Sequence, residues 1–291
     1  MNLQLIRGIH EMKYVVITGV SSGIGYAATK ELLIRGFHVF GSVRKKQDAD
    51  RLKFDMGENF TPLIFDITEH KGIEKAARIV EKHIQTENLT GLVNNAGIAI
   101  SGPLMHIPIN DVRYQLEVNF LGTLKVIQTF LPVLGADYNR TGKPGRIVNI
   151  SSVSGRYAYP FVGPYAASKH ALEAISDSLR RELLIYGIDV IVIEPGNVNT
   201  PIWDKMSDIS IYKKTDYYKI LEHVTSMVMR TRNKTLPDSV IARLIGKVLT
   251  TKKPKLRYLV VNKKFKNWIL PRILPDRWVD RVIAAKLTEK I

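Results

Sequence analysis

Three residues combine types and spacing that can move a proton: Tyr165, Lys169 four positions later, and Ser152 thirteen before the tyrosine. A tyrosine and a lysine four apart share one face of a helix, about one turn from each other. A free phenol titrates near ~10, too high to exchange protons efficiently at neutral pH, and a neighbouring cation favours the phenolate. The pair therefore reads as an acid/base tyrosine tuned by lysine. The same spacing also occurs as an ordinary side-chain pair on a solvated helix face, so the surrounding elements must decide between the two.

Those elements begin with a short β-branched apolar run, Tyr14 to Thr18, that ends in Gly19-Val20-Ser21-Ser22-Gly23-Ile24-Gly25, after which Ala27, Ala28 and Leu32 recur at helical spacing as far as Gly36. Glycines in such a turn let the backbone approach a pyrophosphate, and free amides at the helix start would bind it. A glycine-rich connection with no ligand has the same local pattern. A second strand, His38 to Val43, exits into Arg44-Lys45-Lys46 with no carboxylate until Asp48. In a dinucleotide fold an acidic residue there takes the ribose 2′-hydroxyl and an arginine accommodates a 2′-phosphate, so NADP(H) is favoured over NAD(H), a solvated basic loop being the alternative. A third strand, Pro62 to Phe65, ends at Asp66-Ile67, where Asp66 either meets an adenine edge or caps the polar helix from Lys71 to Gln85. A fourth, Gly91 to Val93, runs into Asn94-Asn95-Ala96-Gly97, small and amide residues that permit close approach of a cofactor or form a plain turn.

The spacing of Val112, Leu116, Phe120, Leu124 and Ile127 predicts one long helix from Asn110 to Leu131, with Asn119 in its middle. An asparagine inside an apolar helix must satisfy its amide, so it is a structural buried polar group or a purposeful one. A polar loop, Gly135 to Gly145, leads to a fifth strand, Arg146 to Ile150, that delivers Ser151 and Ser152. The helix beginning near Tyr165 runs to about Ile185, and a sixth strand, Asp189 to Ile193, stops at Glu194-Pro195-Gly196. A last strand is expected at Arg257 to Val261. Alternation of strand and helix predicts an α/β, single-domain, doubly wound Rossmann fold: a mostly parallel seven-stranded sheet, helices on both faces, and a C-terminal helical extension. The domain is expected over 13–261, with 200–236 covering the site, and 262–291 as a basic amphipathic extension. Ligands of such a sheet bind beyond the strands' carboxyl ends, an edge that collects Gly19 to Gly25, Asn94 to Gly97, Ser152 and Pro195 to Thr200.

Composition narrows the chemistry. The chain has no cysteine, so disulfides, thiolate metal sites and a cysteine nucleophile are out, and its seven histidines form no ligand-like cluster, so no metal is expected. No run approaches the ~18 to 20 apolar residues of a spanning helix, and residues 1–11 lack the apolar core of a secretory signal, Met12 being an alternative start. The expectation is a cytoplasmic protein, soluble or peripheral to a membrane. The formal charge is +16, but from Lys252 to Ile291 twelve Lys/Arg face three Asp/Glu, so much of the excess is terminal. A nucleic-acid binder would carry a distributed basic face. Basic residues interleaved with Trp268, Ile269, Leu270, Ile273, Leu274, Trp278, Val282 and Ile283 fit an anionic membrane surface or a segment packed on its own subunit.

With its motifs Thr18-Gly19-x-x-x-Gly23-x-Gly25, Asn94-Asn95-Ala96-Gly97, Asn119, Ser152, Tyr165-x-x-x-Lys169 and Pro195-Gly196-x-Val198-x-Thr200 in register, the chain resembles the classical short-chain dehydrogenase/reductase family over roughly residues 13–200. The wording around these motifs is most similar to the branch holding retinol, hydroxysteroid and 3-hydroxybutyrate dehydrogenases. The resemblance implies that Tyr165 is the acid/base at the substrate oxygen, that Ser152 hydrogen-bonds the same oxygen, that Lys169 lowers the tyrosine's pKa and holds the nicotinamide ribose, and that Asn119 positions a water in the proton path. It implies further that Gly19, Ser21, Ile24 and Gly25 line the pyrophosphate, Asp66 the adenine, Asn94 the adenine ribose and Thr200 the nicotinamide end, with Ser22, Gly23, Arg44, Ile67, Ala96, Gly97, Pro195, Gly196 and Val198 completing the cofactor set. Two departures stand out: the glycine turn carries Ser21 and Ser22 where many NADP-preferring relatives have a basic residue, and the tail beyond Leu236 exceeds the family core. The expected activity is NADP(H)-preferring interconversion of an alcohol and its ketone or aldehyde on an apolar small molecule of the steroid, retinoid or fatty-alcohol class. A small-substrate 3-hydroxyacyl-type dehydrogenase using NAD(H) and a non-catalytic cofactor-binding regulator are the alternatives. The resemblance also implies a homodimer or homotetramer joined through the helices around Asn119 and Tyr165.

Overall fold

Seven strands carry the apolar runs: β1 Lys13–Ile17, β2 Phe37–Val43, β3 Phe60–Ile64, β4 Gly91–Asn94, β5 Arg146–Ile150, β6 Asp189–Pro195 and β7 Arg257–Val260. They form one sheet in the order β3-β2-β1-β4-β5-β6-β7, and all six pairings are parallel. The computed structural model describes residues 12–202, 208–231 and 235–288. The expectations for residues 1–11, and for 203–207 and 232–234 within the covering region, lie outside them.

Successive strand residues point to opposite faces, and a parallel sheet needs both covered. Val15 and Ile17 of β1 and Val148 and Ile150 of β5 enter one apolar layer with Leu32 of α1 (Gly23–Ile34) and Ile241 and Ile245 of α8 (Asp238–Thr250). Val16 and Ile147 enter the other, with Ile73 and Val80 of α3 (His70–Ile84), Phe130 of α5 (Thr123–Phe130) and Leu179 of α6 (Gly163–Glu182). The chain reverses its strand order between β1 and β4, so the loops leaving those strands part and open a crevice. One threonine ties its walls together: the Thr18 hydroxyl accepts from Asn95 N and Ala96 N, both at 3.0 Å, while Asn95 Nδ2 donates to Thr18 O and Gly19 O at 3.0 Å each.

The structure departs from the sequence reading in three places. After a bend at Arg44-Lys45, α2 (Lys46–Met56) forms where the sequence reading placed no helix, and it buries only Ala49 and Leu52. The long helix expected over Asn110 to Leu131 is α4 (Ile109–Leu116), a π-helical turn (Glu117–Gly122) and α5. Gly122 lies so close to Ile67 that a Cβ would stand 2.6 Å from Ile67 O, so the wide turn fits the chain against the loop after β3. Finally, the sequence reading contains no counterpart of α8, although Ile241, Ala242, Ile245, Val248 and Leu249 are buried at helical spacing.

Beyond β7 a second π-helical turn (Phe265–Ile269) leads to the single turn α9 (Leu270–Ile273) and to α10 (Asp276–Thr288). Helix α10 lies against α7 (Tyr218–Thr231). Its Asp276 and Asp280 face Tyr157 closely enough to add to the burial that raises that phenol's pKa. The extension thus packs on its own chain, with Phe265, Ile273, Trp278 and Val282 left exposed. Among the described residues no helix is long and apolar enough to cross a membrane.

Candidate active site

Helix α6 opens with Pro164 in its first turn, where a missing N–H costs nothing, and presents Tyr165, Ser168 and Lys169 to the carboxyl edge of β4 and β5. Lys169 is 5% exposed; its Nζ donates to Ile150 O at 2.8 Å and lies 5.8 Å from the Tyr165 ring centroid. Burial lowers the Lys169 pKa to about 8, and Glu173, one turn along, works against that fall. Burial raises the Tyr165 phenol, and its hydrogen bond with the Ser152 side chain pulls it back. The Ser152 side chain is thus the hydrogen-bonding partner of the phenol. Ser152 follows β5 by two residues, is buried, and accepts from Ser154 N at 3.1 Å as the cap of a short 3-10 turn, Val153–Gly155.

Asn119 sits in the π-helical turn at 1% exposure. Its Oδ1 accepts from Ile98 N at 2.8 Å, and its Nδ2 donates to Ile98 O at 2.8 Å and to Ser168 Oγ at 3.0 Å. The whole amide clamps the loop after β4 to α6. Gly97 is the near neighbour of both groups: a Cβ there would stand 3.2 Å from Asn119 Oδ1 and 3.8 Å from Lys169 Nζ.

At the glycine turn, Gly19 and Gly23 have φ of +71° and +58°, a region that favours glycine. A Cβ on Gly19 would come within 2.9 Å of Ala96 Cα, and one on Gly25 would meet Gly19 O. Ser22, the N-cap of α1, makes no side-chain capping bond, and no carboxylate occupies the first turn. The first-turn amides of α1 thus face outward without an internal anion. Thr200 reaches the same place from β6, since a Cβ on Gly23 would touch its methyl at 3.3 Å. In that β6 loop Gly196 N bonds Val260 O at 2.8 Å and Val198 is buried.

The adenosine end is less uniform. Asn94 lies within β4, its Nδ2 donating to Asn149 Oδ1 at 2.8 Å while its Oδ1 has no partner among the described residues. Its amide donor is thus committed to the sheet. Asp66 caps no helix; its Oδ1 accepts from Thr68 N and Oγ1 at 2.9 and 2.8 Å, and its Oδ2 is 3.8 Å from Arg44 Nη1. Ile67 is buried beside it. A residue unnoticed in the sequence, Arg51 of α2, donates to Ser21 O at 3.1 Å and so places a second guanidinium beside the glycine turn. Its only trace in the sequence is a cation three positions after Asp48, and that spacing becomes a shared face only once the stretch is helical. The narrow cradle, the uncapped amides, the orphaned Asn94 oxygen and the two arginines together fit a phosphorylated dinucleotide.

A family model described as short chain dehydrogenase matches residues 13–209. The chain belongs to the short-chain dehydrogenase family. Among its relatives in that family, an NADPH-dependent 3-dehydrocapnine reductase of Ornithobacterium rhinotracheale is 41% identical, the alignment covering 96% of this chain and 100% of the relative. Retinol dehydrogenase 16 of Mus musculus is 35% identical over 84% of this chain and 80% of its own length. A solved short-chain dehydrogenase from Streptomyces avermitilis superposes with a TM-score of 0.73 at 24% identity, covering 96% of both chains, which supports the shared fold.

Apolar and aromatic side chains pack near the start of α6, two of them, Tyr212 and Tyr217, from the 200–236 stretch expected to cover the site. Leu104 packs at the start of α6, within 3.0 Å of where a Gly163 Cβ would be. Tyr157 and Tyr159 meet edge to face at 4.8 Å, and Phe161 and Tyr217 at 6.0 Å. Tyr212, 2% exposed, lies against Gly102 with its hydroxyl 3.4 Å from Ser101 O.

Proposed function

We propose that this protein is an NADP(H)-preferring oxidoreductase that interconverts an apolar alcohol and its ketone or aldehyde. The observation that carries the reading is the hydrogen-bonded Tyr165–Ser152 pair beside a buried Lys169, on the same sheet edge as the uncapped glycine turn. When bound, the nicotinamide supplies or accepts the hydride. In the reductive direction the carbonyl oxygen gains negative charge and needs a proton. Tyr165 donates that proton, and the Ser152 hydroxyl holds the oxygen beside the phenol. The Lys169 ammonium stabilises the phenolate left behind, and Asn119 keeps Gly97 and Ile98 in register with α6 so that the edge stays open to the cofactor. Gly19 to Gly25 hold the pyrophosphate, and Arg44 and Arg51 hold a 2′-phosphate. Preference for NADP(H) is further supported by the NADPH-dependent relative.

The apolar substrate class is supported by the aromatic and aliphatic side chains gathered near the start of α6, Leu104 against Gly163 and the Tyr157–Tyr159 and Phe161–Tyr217 pairs, and by the retinol dehydrogenase among the relatives. The exposed Tyr114, Leu121, Leu184 and Ile185 on or beside α4 to α6 support association of like subunits through those helices. The test is consumption of NADPH and NADH against ketosteroids, retinal, long-chain ketones and acetoacetate. NADPH-linked turnover of the apolar members is expected; oxidation of neither cofactor with any of them would overturn the reading.

A further inference from the structure

A second concave site lies on the β7 side of the molecule, away from the glycine turn. It is a cavity of about 510 Å³ whose wall includes Arg156, Lys255, Arg257, Lys264, Arg272 and Trp268. Its floor is internally neutralised. Arg257 Nε lies 3.0 Å from Glu173 Oε2 and 3.5 Å from Glu194 Oε1, its Nη2 is 2.9 Å from Asp177 Oδ2, and Arg156 Nη1 is 3.4 Å from Glu194 Oε1. Glu194 and Glu173 are themselves buried, so the floor is a fixed array and not a set of free surface chains.

The rim is different. Lys255, Lys264 and Arg272 have no carboxylate within salt-bridge distance among the described residues, although all three converge on the one cavity. Cations held together in a concave site repel one another, and the low-dielectric wall strengthens the field that draws an anion in. The Arg272 guanidinium is also oriented, stacked 4.7 Å from the Trp268 ring. A planar, oriented guanidinium sharing a cavity with two ammonium groups suits a multi-oxygen anion. Immediately beside it, Phe265, Ile269 and Ile273 are exposed at 64%, 37% and 66%, an apolar strip that water alone does not favour.

We infer that this cavity binds the acidic headgroup of a single-chain anionic amphiphile, with Lys255, Lys264 and Arg272 on the head and the strip from Phe265 to Ile273 along the chain. The ligand class is a monomeric alkyl phosphate or an acid of like geometry. The cavity adjoins the active edge through two short links, Arg156 four residues after Ser152 and Glu194 immediately before Pro195. On the reading of the protein as a reductase of apolar carbonyls, the cavity would select substrates that carry an acidic head.

The test is direct binding, which does not depend on turnover. Calorimetric titration of the full chain with NADP⁺ present uses four probes: decyl phosphate below its micelle concentration, decanol, inorganic phosphate, and vesicles containing phosphatidylglycerol. Decyl phosphate should bind at least tenfold more tightly than decanol or inorganic phosphate, and Lys264→Gln with Arg272→Gln should weaken it at least tenfold while NADP⁺ affinity and melting temperature stay unchanged. Equal affinity in wild type and variant, no binding of decyl phosphate, or equal binding of inorganic phosphate would overturn the proposal. Binding to the vesicles alone would replace the molecular ligand with a membrane surface and would also overturn it. A protein that binds decyl phosphate yet reduces no carbonyl keeps this site and loses the proposed function.

Discussion

Replacing Asn119 with alanine removes an amide whose three hydrogen bonds join the loop after β4 to α6. Ser168 Oγ retains its bond to Tyr165 O at 2.7 Å, so the loss falls mainly on Ile98, whose N–H and C=O both lose a partner. Leaving a buried polar group unpaired costs about 1–3 kcal/mol, so the pair should cost about 3 kcal/mol, a large part of a domain's roughly 5–15 kcal/mol. With an unfolding entropy of roughly 2.1 cal/mol/K per residue, that loss lowers the melting temperature of a chain this size by about 5 °C. Scanning fluorimetry with and without NADPH is the assay. Ser168→Ala, which leaves both Ile98 bonds intact, should cost only about 1 kcal/mol. Abolished turnover in Asn119→Ala with a melting shift below about 1 °C would show that the amide acts on the reaction and not as a clamp.

Other expectations follow from the same geometry. Arg44→Asp puts a carboxylate where the 2′-phosphate is expected, so the NADPH/NADH ratio of kcat/KM should fall about 10- to 100-fold, the worth of one charged hydrogen bond; an unchanged ratio would refute the assignment. Lys169 is cationic below its pKa of about 8, so reductive turnover should decline as pH rises through that value, and Glu173→Gln, which removes the carboxylate opposing the fall, should move the decline to lower pH. A decline that stays where it is in the variant would sever that link. His38, against His83 and bonded to Thr61 Oγ1 at 2.9 Å, has its pKa lowered from 6.5 to about 4 by burial and then by His83 and Lys53. Its neutral form is therefore favoured by the fold, and the stability it contributes is present above pH 6.5 and lost as pH falls through about 4, by up to roughly 3 kcal/mol. Urea unfolding at pH 7 and pH 4.5 should show this slope, and His38→Gln should flatten it; parallel slopes would contradict the assignment.

The sheet was legible because each strand is a short apolar run closed by its own turn residues, and because Gly19 to Gly25, Ser152 and Tyr165-x-x-x-Lys169 fall where strand ends must be. Helix α2 was not legible, since a helix with only Ala49 and Leu52 inward has almost no periodicity to read. Arg51 disappeared with it. The π-helical turn at Asn119 depends on a contact between Gly122 and Ile67, fifty-five positions apart, and the spacing of Leu116, Phe120 and Leu124 gives no sign of it. The engagement of Asn94 with Asn149 and of Asp66 with Thr68 is likewise tertiary or turn-local, so neither bond can be read from spacing. The tail's composition was plain, but only the fold shows that Lys255, Lys264 and Arg272 meet in one cavity.

The central claim is that Tyr165 transfers the proton at the substrate oxygen. It is tested most directly by Tyr165→Phe, which keeps the ring and deletes only the hydroxyl bonded to Ser152. With a carbonyl substrate that the wild type reduces, turnover should fall at least about 1,000-fold, at the level of a lost general acid and oxyanion contact, while NADPH still binds within about threefold. Near-normal turnover in Tyr165→Phe would contradict the account.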